Sequence, residues 1–224
     1  MKKGTKEPQY NRQVKDMEAM GPAIMGLTTS YFWRHDAKHL LFTLARYKFV
    51  AKMVMGKKTV AEVGCGDAFG MRLIADGVKK VDGYDFDPIF VADAAKVNAD
   101  VKNTGFFTHD VLKKPLPKTY DAIYALDVIE HIEKKDETKF MKQVMKSLST
   151  HGMLILGTPN ITSQVHASAP SKEGHVNCKS DQELRALLSK YFRHVQIFSM
   201  NDEVVHTGFG PMAHYLFVIG TEPL

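Results

Sequence analysis

Cysteine is scarce in this sequence, which holds only Cys65 and Cys178 among its 224 residues. Two thiols so far apart give neither a metal-binding spacing nor the disulfide framework of small secreted domains. The chain also lacks an apolar run of the roughly 18 residues that a membrane-spanning helix needs, and no apolar core of a secretion signal follows its basic N-terminus. We therefore expect a cytoplasmic protein with two free thiols and no membrane partner.

A dense basic tract is missing as well, although the net charge is +5 and the isoelectric point is about 9.0. The lysines are spread along the chain, many of them in doublets such as Lys57-Lys58 and Lys79-Lys80. This distribution is typical of solvated loops and helix ends, and it is compatible with an anionic substrate. The length and a hydrophobic content of 44% suit one α/β domain with a terminal extension.

The best-defined feature is the stretch TVAEVGCGDAFG, which runs from Thr59 to Gly70. It predicts a strand, a tight turn and the start of a helix. Gly64 and Gly66 can take positive φ and let a ligand lie against the main chain, whereas Ala68 should keep a negative φ. Asp85 follows about twenty residues later at the end of a second apolar segment, where the ribose-binding acid of a βαβ nucleoside site is found. The spacing therefore predicts a nucleoside cofactor.

Strand, helix and turn patterns alternate five times after residue 59, which predicts a parallel sheet with helices on both faces. Two further strands are expected near residues 194–199 and 214–220. Residues 1–58 are expected to form an N-terminal helical arm, with a helix from about Ala37 to Met55 that Asp36 caps. Residues 59–224 then form the domain that binds the cofactor at the carboxyl ends of the strands.

Two motifs carry a resemblance to a known family. E-V-G-C-G at residues 62–66 resembles the first motif of class I S-adenosylmethionine-dependent methyltransferases, and D-V-I-E-H at residues 127–131 resembles their fourth. The resemblance covers residues 59–221 and implies a Rossmann-like, doubly wound, seven-stranded, mostly parallel sheet with an antiparallel last strand. It implies S-adenosylmethionine as the cofactor, with Asp110 at the adenine amino group. The implied cofactor residues are Glu62, Gly64, Cys65, Gly66, Asp85, Phe86, Asp110, Val111 and Asp127.

Two of the ten histidines are candidate catalytic residues. A hydroxyl that accepts a methyl group must lose its proton to a nearby base, and histidine is the usual choice. His131 and His175 each lie beyond the carboxyl end of a predicted strand. The candidate substrate contacts are His175, Asn160 and Trp33, the last in an aromatic segment that either closes over the cleft as a lid or anchors the arm.

A metal is a second possibility for the same histidines. Asp127-x-x-Glu130-His131 resembles the E-x-x-E-H sequence of ubiquinone-pathway O-methyltransferases and of small-RNA 3′-terminal 2′-O-methyltransferases, in which acids and histidines hold a divalent ion. The implied ligands are Asp127, Glu130, His131 and His175, a set that suits Mg²⁺ or Mn²⁺. Asp127 is one methylene shorter than the glutamate of the pattern. The alternative is that Glu130 and His131 stabilise the following helix without a metal.

The sequence therefore favours a methyltransferase that acts on an oxygen of a small polar molecule, such as a sugar, a glycan precursor or a secondary metabolite. A nitrogen acceptor is the less favoured choice. The first alternative is an RNA 2′-O-methyltransferase, which the positive charge and the metal pattern would suit. The second is a non-catalytic partner subunit that keeps the fold and binds no cofactor. The oligomeric state is left open.

Overall fold

A computed structural model describes residues 4–224 of the chain. Over this range the structure has eight α-helices that flank one mixed sheet. The helices are α1 (Asn11–Met20), α2 (Leu27–His35), α3 (Ala37–Val54), α4 (Met71–Ala75), α5 (Pro88–Val97), α6 (Glu137–Lys146), α7 (Ala169–Gly174) and α8 (Asp181–Leu188). The strands are β1 (Thr59–Val63), β2 (Lys80–Asp85), β3 (Thr104–Thr108), β4 (Tyr120–Leu126), β5 (Leu148–Pro159), β6 (Phe192–Asn201), β7 (Val204–His206) and β8 (Tyr215–Pro223).

The strand order is β3-β2-β1-β4-β5-β8-β6-β7. The first five strands are mutually parallel, and β8 runs antiparallel between β5 and β6. The α/β fold with a mostly parallel sheet and an antiparallel last strand is thus confirmed, but eight strands replace the expected seven. The additional strand, β7, is only three residues long and folds back on Ser199–Asn201 as a hairpin. So short a segment shows no alternation that a sequence pattern can detect.

The central strands are buried on both sides, as expected for a sheet wound on both faces. Side chains of β4 alternate between two apolar cores: Ala122 and Tyr124 belong to one, and Ile123 and Ala125 belong to the other. Helices α3, α4 and α5 contribute to the first core, and α6 and α8 to the second. This arrangement directs the carboxyl ends of the five parallel strands to one open edge.

The N-terminal segment divides into two parts. Helix α3 belongs to the body of the domain, because Tyr47, Val50 and Val54 pack in the same core as Val60 of β1. Helix α1, in contrast, has no buried residue. Asp36 precedes α3 as expected, but its side chain makes no capping hydrogen bond.

Helix α2 is attached to the domain by two carboxylates. The backbone N–H of Leu27 donates to Asp93 Oδ2 at 2.6 Å, and that of Thr29 donates to Asp67 Oδ2 at 2.7 Å. These are first-turn N–H groups, which have no partner within the helix itself. Because Asp67 follows the glycine turn directly, the attachment holds α2 beside that turn.

The segment between β5 and α8 has regular structure of its own. It contains a 3₁₀ turn at Ile161–His166 and α7, and it ends at the capping box that Ser180 and Glu183 form at the start of α8. Among the described residues, no helix is both long enough and apolar enough to cross a lipid bilayer.

Candidate functional site

The glycine turn has the backbone that the sequence predicted. Gly64 has a φ of +74° and Gly66 a φ of +51°. The N–H groups of Gly64 and Cys65 both donate to the carbonyl of Tyr84, at 2.7 and 3.1 Å, which fastens the turn to the end of β2. A Cβ on Gly64 would clash with Val128 Cγ2, whereas a Cβ on Gly66 would meet open space. The turn therefore offers a main-chain surface without side chains at Gly66.

Ala68 departs from expectation. Its φ is +51°, not the negative value predicted for an alanine at this position. The N–H of Ala68 donates to the carbonyl of Cys65 at 2.8 Å, and its own carbonyl accepts from the N–H of Met71, at 3.1 Å, and from the side chain of Asn98, at 3.1 Å. These contacts hold the left-handed conformation although it costs an L-residue about 1–2 kcal/mol.

Asp85 lies at the end of β2 and faces the turn. Its Oδ2 accepts from the N–H of Gly66 at 3.0 Å, and its Oδ1 accepts from the N–H of Asp87 at 2.9 Å. The carboxylate is largely buried, yet it stands next to the open surface at Gly66. This is the placement that the spacing between the glycine turn and the second apolar segment predicted.

Glu62 lies beneath the turn, not on its surface. Its side chain is 1% exposed and accepts a hydrogen bond from Tyr47 Oη at 2.6 Å and from Tyr124 Oη at 2.9 Å. Burial raises the pKa of Glu62 to about 8, although both tyrosine hydroxyls act in the opposite direction. Both carboxylate oxygens are engaged, so Glu62 supports the turn from below. Burial also raises the pKa of the neighbouring Cys65 thiol.

Three other residues implied for the cofactor lie at the ends of β2 and β3. Phe86 directly follows β2 and is 76% exposed. Asp110 follows β3, where it accepts from the N–H of Leu112 at 2.9 Å and pairs with Lys113 at 3.2 Å. Val111 is buried in one of the two apolar cores. An exposed ring and an acid on neighbouring strand ends are compatible with an adenine between them.

A cleft of about 1330 Å³ opens beside the glycine turn. Gly64, Cys65 and Gly66 form part of its floor, together with Asp127 at the end of β4. One wall comes from α2 and the start of α3, and the opposite wall comes from His131 and the segment 163–175. The cleft thus joins the cofactor turn to the histidines that the sequence analysis selected. Six of the chain's ten histidines line it: His35, His39, His131, His166, His175 and His214.

His131 and His175 come together in the structure, with ring centroids 5.1 Å apart. The Nδ1 of His131 is 2.9 Å from the carbonyl oxygen of Gly174, and the Nδ1 of His175 is 2.9 Å from Gln164 Oε1. Because both partners are acceptors, each Nδ1 carries a proton, and in the neutral ring the lone pair then lies on Nε2. Burial, together with the neighbouring His131, lowers the pKa of His175, so its ring is neutral near pH 7.

Glu130 completes a cluster with these two rings. Potential ligand atoms of Glu130, His131 and His175 all lie within 4.8 Å of one another. Glu130 Oε2 accepts from Thr158 Oγ1 at 3.0 Å, whereas its buried Oε1 has no partner. Burial raises the pKa of Glu130 to about 8. One carboxylate oxygen and two imidazole nitrogens are a donor set for a divalent ion, and coordination would give the unpartnered buried oxygen a partner.

Asp127 does not join that cluster. It has a φ of +56°, and its Oδ2 accepts from Arg46 Nη1 at 2.6 Å. The guanidinium of Arg46 also lies 4.0 Å from the centre of the Tyr215 ring. Asp127 is therefore held by an arginine of α3 at the floor of the cleft, where the family resemblance places a cofactor contact.

Two of the implied substrate residues lie away from the lining of the cleft. Trp33 is 58% exposed on α2, while its neighbours Tyr31 and Phe32 do line the cleft. Asn160 is buried, and its side-chain amide donates to the carbonyls of Gly210 and Ala213 at 2.9 and 3.0 Å. Asn160 thus joins the end of β5 to the segment before β8.

Sequence reasoning missed several residues of the cleft. Arg46 and His39 are separated from every motif along the chain, and Gln164 stands in a segment without periodicity. His39 packs on Phe32 with ring centroids 4.0 Å apart. The helical spacing of α3 was the only sequence feature that could have indicated some of these residues. Residues 39, 43, 46 and 47 share one face of that helix, and all of them line the cleft.

The residues present fit a nucleoside cofactor. The turn leaves open space at Gly66, the Asp85 carboxylate accepts from the Gly66 N–H, and Gly66 itself lines the cleft. Fold and site therefore define an α/β protein that binds a nucleoside cofactor at the carboxyl edge of its sheet.

Comparisons with known proteins agree with a nucleoside cofactor. A family model described as a methyltransferase domain matches residues 60–152. The chain is 30% identical, over 169 residues, to a probable S-adenosylmethionine-dependent methyltransferase of Mycolicibacterium smegmatis, an alignment that covers 74% of this chain and 60% of the relative. It is 29% identical over 133 residues to a similarly named protein of Mycobacterium tuberculosis, covering 58% of this chain and 47% of the relative.

Among solved structures, the N-methyltransferase NodS from Bradyrhizobium japonicum, in complex with S-adenosyl-L-homocysteine, superposes with a TM-score of 0.65 at 16% identity. The match covers 86% of this chain and 92% of NodS, and it shows a shared fold. These findings confirm that the chain carries a class I S-adenosylmethionine-dependent methyltransferase domain, and that S-adenosylmethionine is its cofactor. The chain spans about half of the length of the curated relatives that it matches.

Proposed function

We propose that this protein transfers a methyl group from S-adenosylmethionine to an oxygen of a small polar molecule, such as a sugar, a glycan precursor or a secondary metabolite. The proposal depends above all on His175, a neutral imidazole whose Nε2 lone pair is free at the wall of the cofactor cleft. A hydroxyl is a weak nucleophile until a base removes its proton, whereas a neutral amine needs no such base.

The residues divide the work in the following way. The bound cofactor supplies a methyl group on a sulfonium sulfur, which is a good leaving group. The glycine turn and Asp85 hold the nucleoside, and positioning of the acceptor behind the methyl carbon accounts for most of the rate. Gln164 accepts from Nδ1 of His175 and so keeps Nε2 as the proton acceptor. Tyr31 and Phe32 of α2 form the opposite wall, where they restrict the entry of water.

Cofactor binding is the first measurement that tests this proposal. Chelator-treated protein is titrated by calorimetry with S-adenosylmethionine and S-adenosylhomocysteine, and micromolar binding is expected. Methyl transfer is then assayed with panels of sugars, phenols and amines. Transfer to hydroxyl compounds that His175→Ala abolishes supports the proposal. Transfer only to amines contradicts the assignment of oxygen, and binding of neither nucleoside would indicate a non-catalytic partner subunit.

A metal-assisted reaction, such as 2′-O-methylation of RNA, is the second candidate. The close approach of Glu130, His131 and His175 favours it, together with the unpartnered Oε1 of Glu130. These three residues would hold the ion, and the ion would lower the pKa of a bound hydroxyl. Asp127 is expected to stay with Arg46, not to become the fourth ligand.

Calorimetric titration with Mn²⁺ separates this candidate from the first. The metal-assisted reading predicts a binding heat in the chelator-treated protein that is lost in Glu130→Gln and kept in Glu133→Gln, an exposed glutamate nearby. If the unmodified protein shows no heat of Mn²⁺ binding, the metal site is rejected and His175 remains as a base.

A further inference from the structure

Lysines collect at the end of the sheet opposite to the cleft, where the parallel strands have their amino ends. The five parallel strands all begin at this edge, and a lysine precedes or opens each of them. The set, called here the lysine edge, consists of Lys57 and Lys58 at β1, Lys79 and Lys80 at β2, Lys102 at β3, Lys118 at β4 and Lys146 at β5. Lys57 is half-buried and the other six are exposed. Lysines that are scattered in the sequence thus share one side of the molecule.

Main-chain hydrogen bonds bring the two doublets side by side. The N–H of Lys79 donates to the carbonyl of Lys57 at 3.1 Å, and the N–H of Lys80 donates to the carbonyl of Lys58 at 3.0 Å. Four ammonium groups therefore start from two adjacent strands. Such a grouping of like charges is unfavourable by itself, so it attracts counterions or an anionic partner.

Few acids neutralise the lysine edge. Asp82 pairs with Lys118 at 2.8 Å and lies 3.8 Å from Lys80. Asp121 is engaged by the main chain, because its Oδ2 accepts from the N–H groups of Lys58 and Thr59. Within residues 4–224, the other five lysines of the edge form no ion pair, and their charge is available to a ligand.

A shallow pocket of about 480 Å³ lies in the part of the lysine edge that β1, β4 and β5 form. Its lining residues are Gly56, Lys57, Lys58, Asp121, Ser149, Thr150 and His151. The Asp121 carboxylate is the one acid among them, and it already accepts from the main-chain N–H groups of Lys58 and Thr59. The pocket thus brings ammonium, hydroxyl and imidazole groups together, and all three can donate hydrogen bonds to phosphate oxygens and ribose hydroxyls.

We propose that the lysine edge binds the sugar–phosphate backbone of helical RNA. A protein partner fits less well, because lysine is depleted from the cores of protein interfaces. Unpaired RNA fits less well too, since it is bound on free aromatic faces, and Phe107, the ring beneath Lys118, already stacks on Tyr84. The hydroxyl groups of Ser149 and Thr150, set among lysine ammonium groups, suit the 2′-hydroxyls and phosphates of an RNA helix.

The dimensions agree with this ligand. Strands are spaced by about 4.8 Å, so the edge from β3 to β5 spans about 19 Å, which is enough to reach several phosphates. The surface is distinct from the cofactor cleft, which lies at the carboxyl ends of the same strands. RNA held here is therefore bound apart from the methyl-transfer site, and the inference stands independently of the proposed function.

The test is binding of a labelled RNA duplex of about 20 base pairs, followed by fluorescence anisotropy from about 50 to 200 mM salt. The charge-reversed variant is Lys57→Glu/Lys79→Glu. Its matched control is Lys135→Glu/Lys139→Glu, which changes the net charge equally at exposed positions beside and on α6. Calorimetry with S-adenosylhomocysteine verifies that both variants keep a folded cofactor site.

We expect salt-dependent binding by the unmodified protein. The Lys57→Glu/Lys79→Glu variant should lose about tenfold or more in affinity, with a log–log salt slope reduced by about two. The control should lose less than about threefold. Absence of binding, or an equal loss in the control, would overturn the proposal. Equal affinity for a DNA duplex of the same sequence would overturn the assignment to RNA.

Discussion

His131 and His175 lie edge to face with ring centroids 5.1 Å apart, although one follows β4 and the other follows α7. The backbone carbonyl of Glu130 connects the two segments, because it accepts from the N–H of Val176 at 2.8 Å and from that of Asn177 at 3.0 Å. A few residues after His175, a buried ion pair between Lys179 and Glu137 fixes the chain to the start of α6. The position of His175 is therefore built into the fold.

Removal of the His175 imidazole is expected to lower turnover by about 100-fold or more, since a positioned general base contributes about 10²–10⁴. His131→Ala should have a smaller effect. Cofactor affinity should be unchanged in both variants, and calorimetry beside steady-state kinetics checks this split.

The pH profile gives the same prediction a second test. The base must be neutral, and the pKa of His175 is lowered by burial, so turnover of the unmodified protein should be level near pH 7 and fall only under more acidic conditions. The acidic limb should vanish in His175→Ala. An unchanged limb in that variant would assign the titration to another group.

Asp85→Ala is expected to abolish cofactor binding. The carboxylate supports Gly66 and Asp87 through their N–H groups, and it is the acid implied for the ribose. Asp85→Asn keeps one acceptor oxygen and should bind weakly. Calorimetric titration measures both, with thermal unfolding as the control for folding. Normal affinity in Asp85→Ala would refute the placement of the ribose.

Gly64→Ala should be more damaging than Gly66→Ala. Both positions have positive φ, which costs an alanine about 1–2 kcal/mol, but only at Gly64 would the new methyl group clash with Val128. Thermal unfolding and cofactor titration compare the two variants. The second substitution Val128→Ala should partly restore Gly64→Ala, and equal damage from both glycine variants would contradict the role of the clash.

Glu62 should make the protein less stable as the pH rises. Its pKa is 4.5 for an ordinary glutamate and about 8 in the fold, because of burial, so between these values the folded state keeps a proton that the unfolded state has lost. The contribution of Glu62 to the free energy of unfolding then falls by up to about 1.4 kcal/mol per pH unit over that window.

The measurement is urea denaturation between about pH 5 and pH 8, comparing the unmodified protein with Glu62→Gln. The variant should show a flatter dependence of stability on pH, and the exposed Glu133→Gln is the control. Parallel curves for the unmodified protein and Glu62→Gln would show that Glu62 does not titrate as described.

Asp67→Ala should release α2 from the glycine turn. It removes the acceptors of the Thr29 N–H and hydroxyl, and loss of a buried acceptor costs about 1–3 kcal/mol. Amide hydrogen exchange over residues 27–35 should accelerate about tenfold or more, while β1 and β4 stay protected. Asp16→Ala in α1 is the control. Unchanged exchange would show that Asp93 alone suffices to hold α2.

Much of the fold was predictable because local patterns determine it. Alternation of apolar runs and turns predicted the parallel sheet, and the sequence before residue 59 predicted the helix that forms α3. The positive φ of Gly64 and Gly66 followed from the absence of a Cβ. The left-handed Ala68 and the short β7 escaped prediction, because tertiary contacts decide both of them.

In the cleft, too, local patterns determined some relations and tertiary packing decided the others. Spacing alone paired the glycine turn with Asp85, since one helix and one strand must separate them, and strand ends selected His131 and His175. Only the three-dimensional packing showed that Arg46 holds Asp127, that Gln164 orients His175 and that the scattered lysines share one edge. These relations depend on how distant segments are juxtaposed, which local periodicity does not encode.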